Sequence, residues 1–270
     1  HSTSRRQRQM CIRDRFTVTV GTIFEDSRIP LNKWLIAIYL MCASKKAMSA
    51  HQLHRELEIT YKSAWFMCHR IRFAMTAGPV ADAIEAKKLS GIVEADEVYI
   101  GGKEKNKHAN KRTPGTQGRS TKTKTPVAVL VERGEGGRSI VKKIANTTGD
   151  TLKGNIRENV DTSARMMTDQ HTGYNGLENE FASHETVDHS KEEYVRGDVY
   201  TNTAESWIAL LRRGIYGTYH HVSDQHLDRY ANEFSFRWDN RGTKDGERMV
   251  EAVKGTKGKR LQYKEPTPKK

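Results

Sequence analysis

The stretch GIVEADEVYIGG, residues 91–102, decides the fold, because it sets acids inside an apolar strand that ends in a glycine turn. The segments around it extend the pattern. A strand, a glycine-rich turn and a second strand follow in VAVLVERGEGGRSIVKKI, residues 127–144. A helix at 151–160, a short strand at 164–170 and a helix at 172–181 are predicted next. Strands followed by alternating strands and helices predict an α/β domain, a mixed sheet with flanking helices.

Residues 16–80 precede this domain and are predicted to be a small helical domain. Ser49 is expected to cap a short helix, and Thr60 a longer one after a brief connection. Apolar residues in the longer helix recur at i, i+4, i+7 and i+11, which predicts one buried stripe. The stripe consists of Ala64, Cys68, Ile71 and Met75.

The same helices are typical of a helix-turn-helix DNA-binding unit, in which a tight turn joins a short helix to a longer one. Lys62 and His69 are predicted to lie on the outer face of the longer helix, with Arg70 beside them. An ordinary helical bundle fits the spacing equally well. The charge of the whole chain favours DNA binding.

The composition indicates a polyanionic partner. The 270-residue chain carries 46 Lys and Arg against 33 Asp and Glu, a net charge of +13. Its three cysteines, Cys11, Cys42 and Cys68, are too few and too scattered for a disulfide framework. No apolar stretch is long enough for a membrane span, and no secretory signal is visible. We therefore expect a reduced, cytosolic protein that is not associated with a membrane.

Three segments differ in composition from the two domains. Residues 1–15 are polar without periodicity, and we interpret them as disordered or as a remnant of truncation or sequence assembly. Residues 103–124 carry eight basic side chains against one acid and lack a large aliphatic residue. They are expected to be a mobile loop, either a solvated linker or, as we favour, a clamp on DNA. Residues 242–270 are expected to be a basic tail.

Lysines and arginines of the basic loop and of a later helix supply further candidate DNA contacts. They are Lys103, Lys105, Lys111 and Arg112 in the basic loop and Arg213 in a later helix.

Carboxylates mark the candidate chemistry. Asp96 lies inside an apolar strand, and Asp169 ends another just before a turn, while Glu94 shares a strand face with Asp96. Acids in short strands are costly unless they are paired or bind a metal. Taken singly, each is more simply a surface carboxylate or an ion-pair partner.

A third acid belongs to the predicted helix TNTAESWIALLRRGIYG, residues 201–217. Glu205 lies in its first turn, and Arg212 lies two turns further along the same face. A glutamate that merely compensates the helix dipole would also explain this position. Two strand aspartates and one helix carboxylate together fit a two-metal site for phosphodiester chemistry, where hard oxygens hold the ions and a nearby arginine holds phosphate.

Long motifs resemble the ISXO-like insertion-sequence transposases from about residue 16 to about residue 241. The resemblance is carried by FTVTVGTIFEDSRIPLNKW (16–34), VEADEVYIGGKEKNKH (93–108), MTDQHTGY (167–174), HSKEEYVRGDVYTNTAESWIALLRRGIYGTYHHVS (189–223) and HLDRYANEFSFRWDNR (226–241). It implies a ribonuclease-H-like catalytic domain at 88–241 that uses Mg²⁺ or Mn²⁺, expected as two ions, to cleave and transfer DNA strands. Asp96 and Asp169 carry over as the first two catalytic acids.

The resemblance leaves the third ligand open, since relatives use either Asn or Glu there, followed by a basic residue. Asn202 and Glu205 both occur, and Glu205 is preferred because Mg²⁺ favours a charged oxygen. Arg212 takes the place of the basic residue. Relatives usually carry a Cys-rich zinc ribbon before residue 16, where only Cys11 stands, so we expect no zinc and an N-terminally incomplete copy.

Three functions are consistent with these features. The first is a transposase acting on the terminal repeats of its element and on target DNA, as a homodimer or larger assembly because two DNA ends must be paired. The second is a catalytically silent DNA-binding remnant of a transposase. The third is another ribonuclease-H-like nuclease, such as a resolvase.

Overall fold

A computed structural model of the protein describes residues 17–76, 88–102, 104–116, 120–188 and 195–262. The first of these ranges forms a helical domain. Its helices are α1 (Leu31–Ala43), α2 (Ala50–Leu57) and α3 (Tyr61–Ala74). The expected segment 1–15 and the basic side chains Lys103 and Arg119 lie outside the described residues.

The two predicted helix caps are confirmed. The Ser49 side chain accepts a hydrogen bond from the Gln52 N–H at 3.1 Å, and the Thr60 side chain accepts one from the Ser63 N–H at 3.2 Å. Glu58 adopts a left-handed conformation between α2 and α3, with φ of 50°. The predicted apolar stripe of α3 is buried in the helical core together with Trp34 and Ile38 of α1.

A five-stranded mixed sheet forms the second domain. Its strands are β1 (Ile92–Ile100), β2 (Thr125–Glu132), β3 (Ser139–Lys143), β4 (Arg165–Asp169) and β5 (Ser183–Val187). They lie in the order β3-β2-β1-β4-β5. The β1–β2 and β2–β3 pairs are antiparallel, whereas β4 pairs in parallel with β1 and β5 with β4. This is the strand order and direction of the ribonuclease-H-like fold, as expected.

Helices cover both faces of this sheet. Helix α4 (Gly149–Asn159) packs on the face formed by Val93, Ala95 and their neighbours. Helices α5 (Asn202–Gly214) and α6 (Leu227–Asp239) pack on the opposite face, around Val98 and Ile100. Side chains alternate between the two faces along a strand, so Glu94 and Asp96 belong to the α5 face.

The segment after β4 differs from the prediction. Residues 172–181 contain two short 3-10 helices, Thr172–Tyr174 and Leu177–Asn179, where an α-helix was expected. Gly176 lies between them with φ of 97°, a left-handed conformation that ends the first turn. Strand β5, which follows, was not anticipated.

The expectation of a basic tail at 242–270 was wrong for its described part. Helix α7 (Asp245–Lys254) packs against α1, and Ala252 lies in the core of the helical domain, with Met249 and Val253 packed against it. Apolar residues at i, i+3 and i+4 give the helix one buried side. The chain thus returns to the helical domain after the sheet domain. Two chain segments, one before and one after the sheet, therefore connect the two domains.

The basic loop 103–124 folds back on itself within its described part. It contains two 3-10 helices, Glu104–Asn106 and Ala109–Lys111. The Arg112 guanidinium donates to the carbonyl oxygens of Lys107 and Lys105 at 3.1 and 3.0 Å. Lys105, Lys111 and Arg112 are exposed, as a role in DNA contact requires. Among the described helices, none combines the length and apolar character needed to cross a membrane.

Candidate carboxylate site

Asp96 and Asp169 lie on neighbouring parallel strands. Ala95 of β1 pairs with Thr168 of β4, so the next residue on each strand is one of the two aspartates. Both side chains project from the face that α5 covers, because side chains alternate along a strand. The fold therefore brings together two of the three acids that the sequence singled out.

Glu205 approaches the same place from α5. Burial raises the pKa of the Asp96 carboxyl to about 7, and the negative charges of Glu97, Asp169 and Glu205 act in the same direction. The Glu97 N–H, which donates to Asp96 Oδ1 at 2.7 Å, opposes this rise. The first turn of α5, which contains Glu205, is bonded through the Ala204 N–H to Glu94 on the same face of β1 as Asp96. Glu205 and Asn202 are both exposed in that turn.

Glu94 fixes the start of α5 against β1. Its buried carboxylate accepts a hydrogen bond from the Ala204 N–H at 2.8 Å. This N–H is one of those at a helix N-terminus that lack an intrahelical partner, and the N-cap residue Thr201 makes no side-chain cap hydrogen bond with the described residues. A carboxylate is also favourable there because the helix dipole is positive at this end. The bond holds Glu205, the next residue, opposite Asp96.

Arg133 completes this attachment. Its guanidinium pairs with Glu94 in a nearly buried ion pair and donates to the carbonyl oxygens of Asp198 and Tyr200. It also lies over the Tyr200 ring, 3.6 Å from the centroid. The β2–β3 turn is thereby bonded to the segment that leads into α5. Sequence reasoning missed Arg133 because it read the segment only as a glycine-rich turn.

Two further contacts support the strand aspartates. On the α4 face of β1, the Tyr174 hydroxyl donates to Glu97 at 3.0 Å. Asp169 accepts a hydrogen bond from the His171 N–H at 3.1 Å, which closes the turn after β4. The first contact fixes the side chain of Glu97, the neighbour of Asp96, and the second bonds the Asp169 carboxylate to the backbone of the turn.

The side chains do not form a closed metal cage. Across the described ranges, no three His, Cys, Asp or Glu side chains approach closely enough to hold one metal ion. The sequence had led us to expect three convergent carboxyl groups. Asp96, Asp169 and Glu205 share a region and influence one another electrostatically, but like charges repel and favour separated side chains.

Arg212 and Arg213 lie in the last turn of α5. Seven residues separate Glu205 from Arg212, a rise of about 10 Å along the helix. Both arginines are exposed. Arg212 is therefore distant from the carboxyl groups along the helix axis.

Two of the expected DNA contacts in α3 are corrected. His69 is fully buried, and its ring lies 4.7 Å from that of His226. Arg70 is also buried and donates to the carbonyl oxygens of Leu261 and Glu25 at 3.0 Å each. Helix α6 and the C-terminal segment cover this side of α3, so the side cannot meet DNA. Lys62 is exposed, as predicted.

Comparison with known proteins gives three similarities. Residues 88–239 match the sequence profile of the ISXO2-like transposase domain. The chain is 32% identical over 229 residues to an uncharacterised protein in transposable element ISH50 of Halobacterium salinarum, covering 82% of this chain and 74% of that one. The solved structure of the Mos1 transposase paired-end complex with left transposon end aligns over 98% of this chain and 84% of that chain. Its identity is 12% and its TM-score 0.30, values too low to support an inference.

Proposed function

Since the chain belongs to the ISXO2-like transposase domain family, we propose that it cleaves the ends of an insertion sequence and joins them to target DNA through Asp96, Asp169 and Glu205. The observation that carries this proposal is the side-by-side position of Asp96 and Asp169 on parallel strands. Glu205 faces them from α5 and raises the pKa of Asp96. Acids grouped on one face of a sheet are costly to a fold without a compensating role.

The donor set fits Mg²⁺ or Mn²⁺. Three carboxylates supply the hard oxygen ligands that such ions prefer, and Asn202 adds a neutral one. A pair of ions held there would activate the attacking hydroxyl and stabilise the leaving oxygen. Asp96 and Asp169 would hold them from the sheet and Glu205 from the helix. Glu205 is exposed, so its side chain can change rotamer to approach the aspartates at small cost.

The protein's own groups have further roles in this proposal. The Glu94 carboxylate and Arg133 hold the α5 N-terminus, which keeps Glu205 on the aspartate side. Arg212, two turns away, binds a neighbouring phosphate of the same DNA strand. Glu205 is preferred over Asn202 as third ligand because it interacts with Asp96 and carries a charge.

DNA recognition is proposed for two exposed regions. Helices α2 and α3 have the length and the tight connection of a helix-turn-helix, with Lys62 exposed near the start of the second helix. Lys105, Lys111 and Arg112 of the basic loop follow directly on β1, the strand that carries Asp96. A dimer or larger assembly on DNA is proposed because two element ends must react together.

A catalytically silent DNA-binding protein is the second candidate. The separation of the three carboxylates is the observation that favours it. It predicts DNA binding with steep salt dependence but no strand cleavage.

A strand-transfer assay separates the candidates. Purified protein is incubated with labelled terminal-repeat DNA and a target plasmid in Mg²⁺, in Mn²⁺ or in chelator. We expect cleavage and joining only with metal, loss of both in Glu205→Gln, and retention of most activity in Asn202→Ala. Binding without cleavage under every metal condition would support the silent protein, and preferential cleavage of branched DNA without joining would indicate a resolvase-like nuclease.

A further inference from the structure

A basic cleft lies where the two domains meet, away from the carboxylates. It has a volume of about 490 Å³ and is bounded by the α1–α2 connection, the end of α5 and the α6–α7 joint. Its lining includes six cationic residues, Lys45, Lys46, Arg213, Arg237, Arg241 and Arg248. The same lining contains one acid, Asp245. We call this surface the basic cleft.

Three of the six cations, Arg237, Arg241 and Arg248, are fixed by backbone carbonyl groups, and we call them the fixed arginines. Arg241 donates to the carbonyl oxygens of Gly137 and Gly134 at 2.8 and 2.9 Å, and Arg248 donates to that of Cys42 at 2.9 Å. Arg237 donates to carbonyl oxygens at the end of α1. A carbonyl group satisfies the N–H donors but carries no net charge, so these bonds leave most of the positive charge in place.

Carboxylates neutralise the positive charge of the fixed arginines only in part. Arg237 pairs with Glu233 at 2.8 Å, but Glu233 also pairs with Arg72 at 2.7 Å. Arg248 pairs with Asp245 at 3.1 Å. Arg241 forms no ion pair with a described carboxylate. The fixed arginines of the basic cleft therefore keep a net positive charge.

Lys45, Lys46 and Arg213 form the rim. All three are exposed, and none forms a hydrogen bond or ion pair through its side chain with a described residue. The carbonyl oxygen of Lys46 accepts a hydrogen bond from the Thr218 hydroxyl at 2.8 Å, which fixes the backbone while the side chain stays available. Like charges so close together repel, and an anion that bridges them removes this cost.

We propose that the basic cleft binds the phosphate backbone of duplex DNA. Arg213 follows Glu205 by eight residues on α5, a rise of about 12 Å along the helix. Successive base pairs rise about 3.4 Å, so this spacing corresponds to three or four base pairs. A duplex that runs along α5 with one phosphate at the carboxylates would place another near the rim. That the anion is DNA rests on the proposed function, whereas the affinity for phosphate rests on the cleft alone.

The test is the salt dependence of DNA binding. The variant Lys45→Gln/Lys46→Gln/Arg213→Gln removes three exposed charges at the rim. The control Lys142→Gln/Lys254→Gln/Lys257→Gln removes three exposed charges elsewhere, so the net charge falls equally. Affinity for a non-specific duplex oligonucleotide is measured over a range of salt concentrations, and thermal unfolding verifies that both variants are folded. Each phosphate contact contributes about 0.9 to the slope of log K against log salt.

We expect the rim variant to lower that slope by about 2 to 3 and the control to lower it by less than about 1. Equal slopes in the two variants would overturn the proposal. A second result would also overturn the proposal: the rim variant loses the rise in unfolding temperature that inorganic phosphate gives the natural protein, but binds DNA unchanged. The basic cleft would then bind a small anion and not DNA. Binding does not require catalysis, so the measurement is repeated in Asp169→Asn, and the rim effect should persist there even if the proposed chemistry is wrong.

Discussion

The carboxylate of Glu94 accepts a hydrogen bond from the backbone N–H of Ala204, 2.8 Å away and 110 residues later in the chain. One end of this contact lies two residues from Asp96, and the other lies next to Glu205. Strand β1 and helix α5 are thus joined beside the acids to which the proposed chemistry is assigned. Glu94 also forms a nearly buried ion pair with Arg133, which balances its charge.

Replacing Glu94 with Gln should destabilise the protein. The amide oxygen can still accept from Ala204, but Arg133 loses its only carboxylate partner among the described residues. Removing one partner of a buried ion pair costs about 3 kcal/mol. Denaturant unfolding measures the change, and DNA cleavage should fall more than DNA binding because the unpaired Arg133 no longer fixes the segment that leads into α5 and Glu205.

The matched control is Glu158→Gln, which removes an exposed ion pair with Lys142. Exposed pairs contribute up to about 1 kcal/mol. If Glu94→Gln proves as stable as this control, the ion pair of Glu94 with Arg133 does not hold the segment that leads into α5.

His69 should make the protein sensitive to acid. Burial lowers the pKa of His69 to about 2, and the positive charges of Arg72, His226 and Arg229 act in the same direction. Both ring nitrogens lack a hydrogen-bond partner among the described residues. The unfolded chain takes up a proton below its normal pKa of 6.5, while the folded protein does not.

The stabilising contribution of neutral His69 is therefore fully present above pH 6.5 and is lost as pH falls. The slope approaches about 1.4 kcal/mol per pH unit for one proton. Unfolding free energies of the natural protein and of His69→Phe should diverge by that slope between pH 6.5 and about pH 5. Parallel curves for the two proteins would show that His69 is protonated in the folded state or accessible to water.

Gly214 should not tolerate a side chain. It lies at the end of α5, and a Cβ there would overlap the Phe234 ring of α6. Gly214→Ala is expected to cost about 1–3 kcal/mol because the buried ring must move. Gly154→Ala in α4 is the control, since a Cβ there meets nothing within 4 Å. Alanine should stabilise that helix by up to about 1 kcal/mol. Similar effects of both changes in thermal unfolding would contradict the close packing of α5 on α6.

The sequence predicted those elements whose signal is local. Strands β1 and β4 were recognised because short apolar segments that end at a turn contain or precede Asp96 and Asp169. The caps at Ser49 and Thr60 were recognised because capping depends on residues three apart. Strand β5, with the sequence SHETV, was missed because it is polar and lies at the sheet edge. Propensity gives little signal in such a strand.

Long-range contacts explain the remaining differences. His69 was expected to be exposed because one apolar stripe accounted for α3, whereas α6 covers a second side of that helix. The C-terminal segment was expected to be a tail because its basic residues dominate its composition, although Lys259 lies buried with its ammonium group bonded to the carbonyl oxygens of Ala74 and Thr76. Neither packing partner can be identified from the spacing within one segment.

Helix geometry explains why the sequence alone could not decide between Asn202 and Glu205 as the third ligand. Asn202 and Glu205 are three residues apart on one helix, so both occupy the first turn on the same side. The electrostatic interaction of Glu205 with Asp96 favours Glu205 as the third acid. The role of Glu94 could not be predicted either. Its partner Ala204 contributes only a backbone N–H, which every residue except proline carries.

The most direct test of the central claim compares Asp96→Asn with Asp26→Asn in metal-dependent cleavage of terminal-repeat DNA. Asp26 is an exposed partner of Arg260 in a left-handed conformation that asparagine tolerates, so its change should be neutral. We predict that Asp96→Asn binds DNA as well as the natural protein but cleaves at least about 100-fold more slowly, whereas Asp26→Asn cleaves normally. Full cleavage by folded Asp96→Asn would contradict the assignment of the chemistry to this carboxylate site.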